Sequence, residues 1–224
     1  MSHPIDIYRP EFEERIFAVK PKSVLDVGFG DGAFLRRAYE RGIQATGVDH
    51  SDERIQAARE GGLSVQCAVA DALPFADRSF DCVAAQLVVH HFPDLRKGLL
   101  EMLRVARLGV FILDPWFDET IPSQASAVAL ERWMKAIDRA QGGVNNGPLT
   151  AEDFQRELPE VTIDVAHRLT LVPDAVDERA EKCTAYLDKI DKPETFRKEL
   201  DRLIADARRT GLTSEGAIFV TLAR

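Results

Sequence analysis

The chain has 224 residues, of which 45% are hydrophobic, with 29 basic against 37 acidic side chains. That length carries one domain with a sizeable core, or one domain with a small helical insert. The negative balance argues against a nucleic-acid partner, whose phosphates demand a basic face, although a local basic patch can survive a negative total.

Met1-Ser2-His3-Pro4-Ile5-Asp6 has neither a basic n-region nor an apolar h-region, and no apolar run approaches a membrane-spanning length. A cytoplasmic protein away from membranes is expected. Cys67, Cys82 and Cys183 fit no metal pattern, so no metal is expected. Two of them fall in predicted buried strands, and all are read as reduced core cysteines. Tyr8 to Val19 is predicted as a short amphipathic helix with Phe12, Ile16 and Phe17 on one side, ended before Pro21.

Val24-Leu25-Asp26-Val27 then reads as a buried strand running into Gly28, Gly30 and Gly32. Helical spacing follows from Ala33 to Arg41, with Phe34, Leu35 and Ala38 on one face and Gly42 as a stop. Strand, glycine turn and helix put a row of backbone N–H groups at a helix start, where a ligand approaches the main chain closely.

Two cofactor classes use such a turn. Gly28-x-Gly30-x-x-Ala33 fits the dinucleotide fingerprint. Two carboxylates argue against that class. Asp31 would face an anionic pyrophosphate, a repulsion of about 4 kcal/mol at ~4 Å with an effective dielectric of ~20. Asp26 lies inside the strand, where an unpaired charge is costly. A ligand carrying an ammonium and a sulfonium, as S-adenosylmethionine does, turns both acids into partners.

Val24-Leu25-Asp26-Val27-Gly28-Phe29-Gly30-Asp31-Gly32 resembles the first motif of class I S-adenosylmethionine-dependent methyltransferases, and the later motifs resemble their small-molecule, type 11-like branch. The resemblance covers about Lys22 to Pro115. It implies a doubly wound, seven-stranded, mostly parallel sheet with the last strand antiparallel, and methyl transfer to a small-molecule acceptor. It places Asp26, Gly28, Phe29, Gly30 and Gly32 at the cofactor. In this family an N-terminal helix often closes over the cofactor, and Tyr8 stands where it could take part; a helix that merely covers the sheet is the alternative.

Further along, Gln44 to Asp49 is a second predicted strand ending in an acid 21 residues beyond Gly28. That is close to the interval at which such folds place a carboxylate for ribose hydroxyls. Ser51 can cap the next helix itself, which frees Asp49 for the ribose; His50, beside it, is counted with the cofactor-binding residues. A third strand, Ser64 to Ala70, leads into Asp71-Ala72-Leu73-Pro74-Phe75. With Phe80 to Val83 behind it, this stretch resembles the family's second signature, which implies that Asp71 accepts from the adenine amino group and the Ala72 N–H donates to the ring. An ordinary turn acid is the alternative for Asp71.

The fourth predicted strand, Asp81 to Val89, delivers its end to the switch in strand order, where such sheets bind ligands. Gln86 is therefore a candidate for the methionine end of the cofactor. His90 and His91 are candidates for a general base in the acceptor pocket, with a loop-fixing role as the alternative. Asp94 starts a helix with Leu95, Leu99, Met102, Leu103 and Ala106 at helical spacing. Arg107-Leu108-Gly109 replaces the family's Pro-Gly-Gly turn before a strand at Val110 to Asp114. Asp114-Pro115-Trp116-Phe117 is similar to the Asp-Pro-Pro-Tyr motif of amino-methylating nucleic-acid enzymes, but it follows the fifth strand rather than the fourth and is read as coincidence.

Ser123 to Ala140 is a further helix burying Val128, Trp133 and Ile137. Gln141 to Pro148 has the most flexible composition, fitting a flap or a plain surface loop alike. Thr150 and Asp153 form a near capping box. Val161 to Val172 reads as the sixth strand and Ala217 to Leu222 as the last. Two helices, Asp174 to Ile190 and Pro193 to Arg209, form an insert over about 174–210 in a single methyltransferase domain of 1–224; it builds part of an acceptor pocket or an interaction surface. The rival readings are a non-methylating or regulatory S-adenosylmethionine-binding protein and an NAD-dependent oxidoreductase. The acceptor and the oligomeric state are left open.

Overall fold

The computed structural model describes residues 4–188, 190 and 193–223. Lys189, Asp191 and Lys192 of the expected insert lie outside the described residues, as do the first three residues and Arg224. The described residues divide into two compact units, one holding residues 7–114, 150–166 and 218–223, the other 4–6, 115–149 and 167–217.

The first unit is built on the strand that ends in the glycine turn. Val24, Leu25 and Val27 are buried in β1 (Ser23–Val27). That apolar run is long enough only for a strand, and its burial on both faces marks a central position. β1 pairs in parallel with β2 (Gln44–Asp49) on one side and with β4 (Phe80–Gln86) on the other. β3 (Val65–Cys67) lies outside β2, and β5 (Ala106–Trp116) outside β4, both parallel to their neighbours. With β6 (Thr162–Arg168) and β9 (Gly216–Ala223) the seven-stranded order is β3-β2-β1-β4-β5-β9-β6. The order reverses between β1 and β4, so the carboxyl ends of these two strands frame the crevice in which doubly wound sheets take ligands.

Helices α1 (Arg9–Ala18), α2 (Ala33–Glu40) and α4 (Leu95–Val105) carry the expected apolar faces, with Phe12, Ile16, Phe34, Leu35, Leu99 and Met102 all buried, and α3 (Asp52–Glu60) buries Ile55. Ser51 accepts from the Arg54 amide and Asp94 from the Lys97 amide, as N-caps should. A complete capping box links Thr150 and Asp153 at the start of α6 (Ala151–Glu157). α1 is tied to α2 by Arg37 Nε, which donates to both carboxylate oxygens of the buried Glu13 at 2.8 Å.

Several boundaries differ from the sequence reading. The third strand stops at Cys67 rather than Ala70, and Cys67 is exposed, not a core thiol. Cys82 and Cys183 are buried, and burial pushes their thiols up to about 12 and about 11. β4 ends at Gln86 because Leu87 takes a left-handed φ of +57°, which turns the chain out of the sheet. No connection precedes β5: α4 passes directly into it at Ala106. β6 ends at Arg168 instead of Val172.

In the second unit, α5 (Pro122–Ala140) packs with α7 (Val176–Leu187) and α8 (Glu194–Thr210). Val128, Trp133 and Ile137 of α5 meet Cys183, Leu187, Leu200, Leu203 and Ala207 in one apolar cluster, and the Trp133 indole donates to the Phe196 carbonyl at 2.9 Å. The two-residue strands β7 (Pro173–Asp174) and β8 (Leu212–Thr213) pair antiparallel. The expected insert helices therefore share their core with α5. In the 141–148 stretch Asn145 is buried, accepts from the Gly147 amide through its side chain and from Arg139 through its carbonyl. Among the described residues no helix is long and apolar enough to cross a membrane, and no cluster of ligating side chains could hold a metal ion.

Candidate functional site

The three turn glycines differ in what surrounds them. Gly28, Gly30 and Gly32 all have φ between +60° and +74°, the region that favours glycine. A Cβ at Gly28 would stand 2.6 Å from Val88 Cγ2, and one at Gly32 would collide with Leu63 Cδ1. At Gly30 nothing lies within 4 Å. Gly28 and Gly32 are required by packing, whereas Gly30 faces open space that a ligand can fill. The row of amides is shorter than the sequence suggests: Gly28 N–H donates to Val48, Gly32 N–H to Phe29, and Ala33 N–H to the Asp31 carboxylate. Asp31 thus braces the start of α2. Phe29 is buried by its ring, which lies against Gly47, so only its backbone remains at the turn.

Asp26 is 1% exposed and its Oδ1 has no hydrogen-bond partner. Burial raises its carboxyl from the ordinary 3.8 to about 7, against the opposing pull of Arg9 and Arg37. The unfolded chain holds this proton only below about pH 4, the folded chain up to about pH 7. Stability from Asp26 is therefore complete below pH 4 and is lost as pH rises to 7. Asp26→Asn removes the burden, and at pH 8 it should stabilise the cofactor-free protein by up to roughly 4 kcal/mol, taking 1.36 kcal/mol per pKa unit. Thermal melts at pH 5 and pH 8 check this, since the gain must be larger at pH 8.

At the next strand end, Asp49 is 4% exposed. Its Oδ1 accepts from the Ser51 amide at 2.9 Å and its Oδ2 from Arg54 Nη1 at 3.2 Å. Each oxygen keeps a lone pair, so hydroxyl donors can still be served. His50 is exposed, with Nδ1 3.5 Å from Asp49 Oδ1. Asp71 is half-buried and its Oδ2 accepts from Lys97 Nζ at 3.3 Å. The Ala72 N–H, expected to serve a ring, already donates to the Val69 carbonyl at 3.1 Å. Serving a ring as well would require this amide to share or exchange its single proton. Gln86 is buried, and its Oε1 accepts from Arg9 Nη1 at 2.8 Å. Its amide donors remain. Arg9, which no sequence signal marks, thus bonds to Gln86 and acts on Asp26 through its charge.

The histidine pair divides sharply. Leu87 donates to the Leu113 carbonyl at 2.8 Å and its left-handed turn leads into a short 3-10 helix over Val89–His91. This carries His90 inward, where Nδ1 lies 2.9 and 3.0 Å from the two oxygens of Asp114. Asp114 is fully buried; burial raises its carboxyl while the facing His90 ring draws it back. His91 is exposed, with its ring centroid 4.1 Å from that of His90. Asp114, which the motif comparison discounts, is the residue that the sequence reading lacks. Its signal is faint: an acid at the end of a buried strand, opposite a histidine at the end of its neighbour.

S-adenosylmethionine fits the turn on two counts. The orphaned Asp26 acceptor calls for a donor or a positive charge, and the space over Gly30 admits a ligand to the main chain.

Residues 25–113 match the family model for a methyltransferase domain. YcgJ of Bacillus subtilis (strain 168), an uncharacterized methyltransferase, is 33% identical over 142 residues, which cover 53% of this chain and 56% of that protein. The demethylmenaquinone methyltransferase of Thermotoga maritima is 30% identical over 152 residues, covering 64% and 65%. The chain thus spans between 56% and 65% of the length of these curated relatives. Among solved structures, the YcgJ protein superposes with a TM-score of 0.62 at 18% identity, covering 96% of this chain and 99% of that one. A cyclopropane-fatty-acyl-phospholipid synthase-like protein from Lactobacillus casei reaches 0.72 at 16% identity, covering 96% and 90%; at such identities the likeness is one of fold. Residues 25–113 form a class I methyltransferase domain of the type 11 branch.

Proposed function

We propose that this protein transfers a methyl group from S-adenosylmethionine to a hydroxyl or amine of a small-molecule acceptor. The observation that carries the reading is the buried, unpartnered Asp26 carboxylate beneath a glycine turn that is open at Gly30. When bound, the cofactor supplies a methyl group made electrophilic by its sulfonium. Asp49 accepts from the ribose hydroxyls, Asp71 from the adenine amino group, and the Gln86 amide donates toward the methionine end. His90 Nε2 takes the proton of the acceptor, while Nδ1–H donates to Asp114, whose carboxylate balances the imidazolium that forms. The rest of the rate comes from alignment and exclusion of water. The net charge of −8 speaks against a nucleic-acid acceptor.

Calorimetric titration with S-adenosylmethionine and NADH side by side tests the cofactor, and release of S-adenosylhomocysteine over a panel of hydroxyl and amine acceptors tests the reaction. Binding of NADH in preference, or turnover by none of the panel, would sink the reading. Asp49→Ala should weaken cofactor binding by roughly 1.5–3 kcal/mol and Asp71→Ala by about 1 kcal/mol, since the adenine keeps its apolar contacts. Asp49 also holds Ser51 and Arg54, so a melting curve must accompany the titration. A greater loss for Asp71 than for Asp49 would reverse the ranking.

A further inference from the structure

At the opposite end of β1, about 16 Å from the start of the glycine turn at ~3.3 Å per residue, a cleft of about 590 Å³ opens among the amino ends of β1, β2 and β4. Lys20, Lys22 and Arg107 line it against a single acid, Asp81. That acid is fully engaged. Its Oδ2 accepts from the Lys22 and Ser23 amides at 2.7 and 3.2 Å, and its Oδ1 from Arg107 Nη1 at 3.1 Å. These bonds hold the Asp81 carboxyl below its ordinary range despite partial burial, so it neutralises Arg107 and leaves the two lysine charges uncompensated.

Neither Lys20 nor Lys22 has an ion pair or side-chain hydrogen bond among the described residues. The cleft also contains Ser79, whose buried Oγ lacks any hydrogen-bond partner. A hydroxyl without a hydrogen-bond partner and two unpaired ammonium groups therefore line the same cleft, a donor set suited to an anion. Arg78 lines a smaller cleft of about 190 Å³ that shares Arg107 and Leu108 with the first. In a chain of net charge −8, positive side chains are thus gathered at one end of the sheet.

We propose that this cleft binds an oxyanion of the size of pyrophosphate, at a site separate from the glycine turn. Lys20 and Lys22 supply charge, and the Ser79 hydroxyl donates one oriented hydrogen bond. The binding is electrostatic in the main and must weaken with added salt.

Calorimetry with sodium pyrophosphate at fixed low ionic strength tests it. The wild type should give saturable binding, Lys20→Gln/Lys22→Gln should weaken it about tenfold or more, which corresponds to ~1.4 kcal/mol, and Lys182→Gln, an exposed control on α7, should leave it unchanged. Both substituted lysines are exposed, so the double variant keeps the wild-type melting temperature. Gly30→Val should retain pyrophosphate binding in full. The proposal fails if no saturable binding occurs, if Lys182→Gln loses as much as the double variant, or if Gly30→Val loses it, since the anion would then sit at the turn.

Discussion

Gly30→Val is expected to abolish binding of S-adenosylmethionine in a protein that still folds. A Cβ at this position meets nothing within 4 Å, so the added side chain occupies only the open space where the proposed ligand approaches. The fold pays for a β-branched residue at a φ of +60°, a strain on the order of 1–3 kcal/mol. A domain with the usual margin of about 5–15 kcal/mol survives that loss. Gly28→Ala makes the contrast. Its Cβ would press against Val88, so this variant should melt well below Gly30→Ala. Calorimetry and thermal melts on the three variants separate the cases. Near-normal cofactor affinity in folded Gly30→Val would remove the turn from the binding site.

How much of this was legible beforehand depends on the range of the interaction concerned. The glycine spacing, the Ser51 and Asp94 caps and the Thr150–Asp153 box are local, set by residues two to three positions apart, and each stands as its sequence indicates. The apolar faces of α1 to α5 are equally local, since a 3.6-residue period needs no knowledge of the partner. Strand ends were less legible. β4 stops early because one leucine adopts a left-handed conformation, for which leucine carries no propensity. The pairing of His90 with Asp114 spans 24 residues and exists only because β4 and β5 are neighbours. The bond from Arg9 to Gln86 spans 77. Neither can be read from spacing. The Ala72 amide shows another limit: the motif marks the residue, and spacing alone does not show that its proton is engaged by a carbonyl three positions back.

For the chemistry, His90→Ala should lower turnover by about 10²–10⁴-fold with little change in cofactor affinity, and remove the acid limb of the pH–rate profile. In the proposed role the carboxylate at Nδ1 holds the tautomer in which Nε2 acts, so Asp114→Asn should also lower the rate while altering the shape of the site very little. Removing one member of a buried pair also destabilises, by about 3–5 kcal/mol where the remaining charge has no other partner. His90→Gln therefore accompanies the alanine variant, because its amide can still donate to Asp114. If the histidine serves as a base, glutamine restores the melting temperature but not the rate. If it serves only to fix the loop, glutamine restores both. His91→Ala separates the pair, since His91 is exposed and its variant should keep the acid limb. The assignment of His90 as the base is lost if a folded His90 variant retains the wild-type rate and its acid limb, and it passes to His91 if that limb disappears only with the second ring.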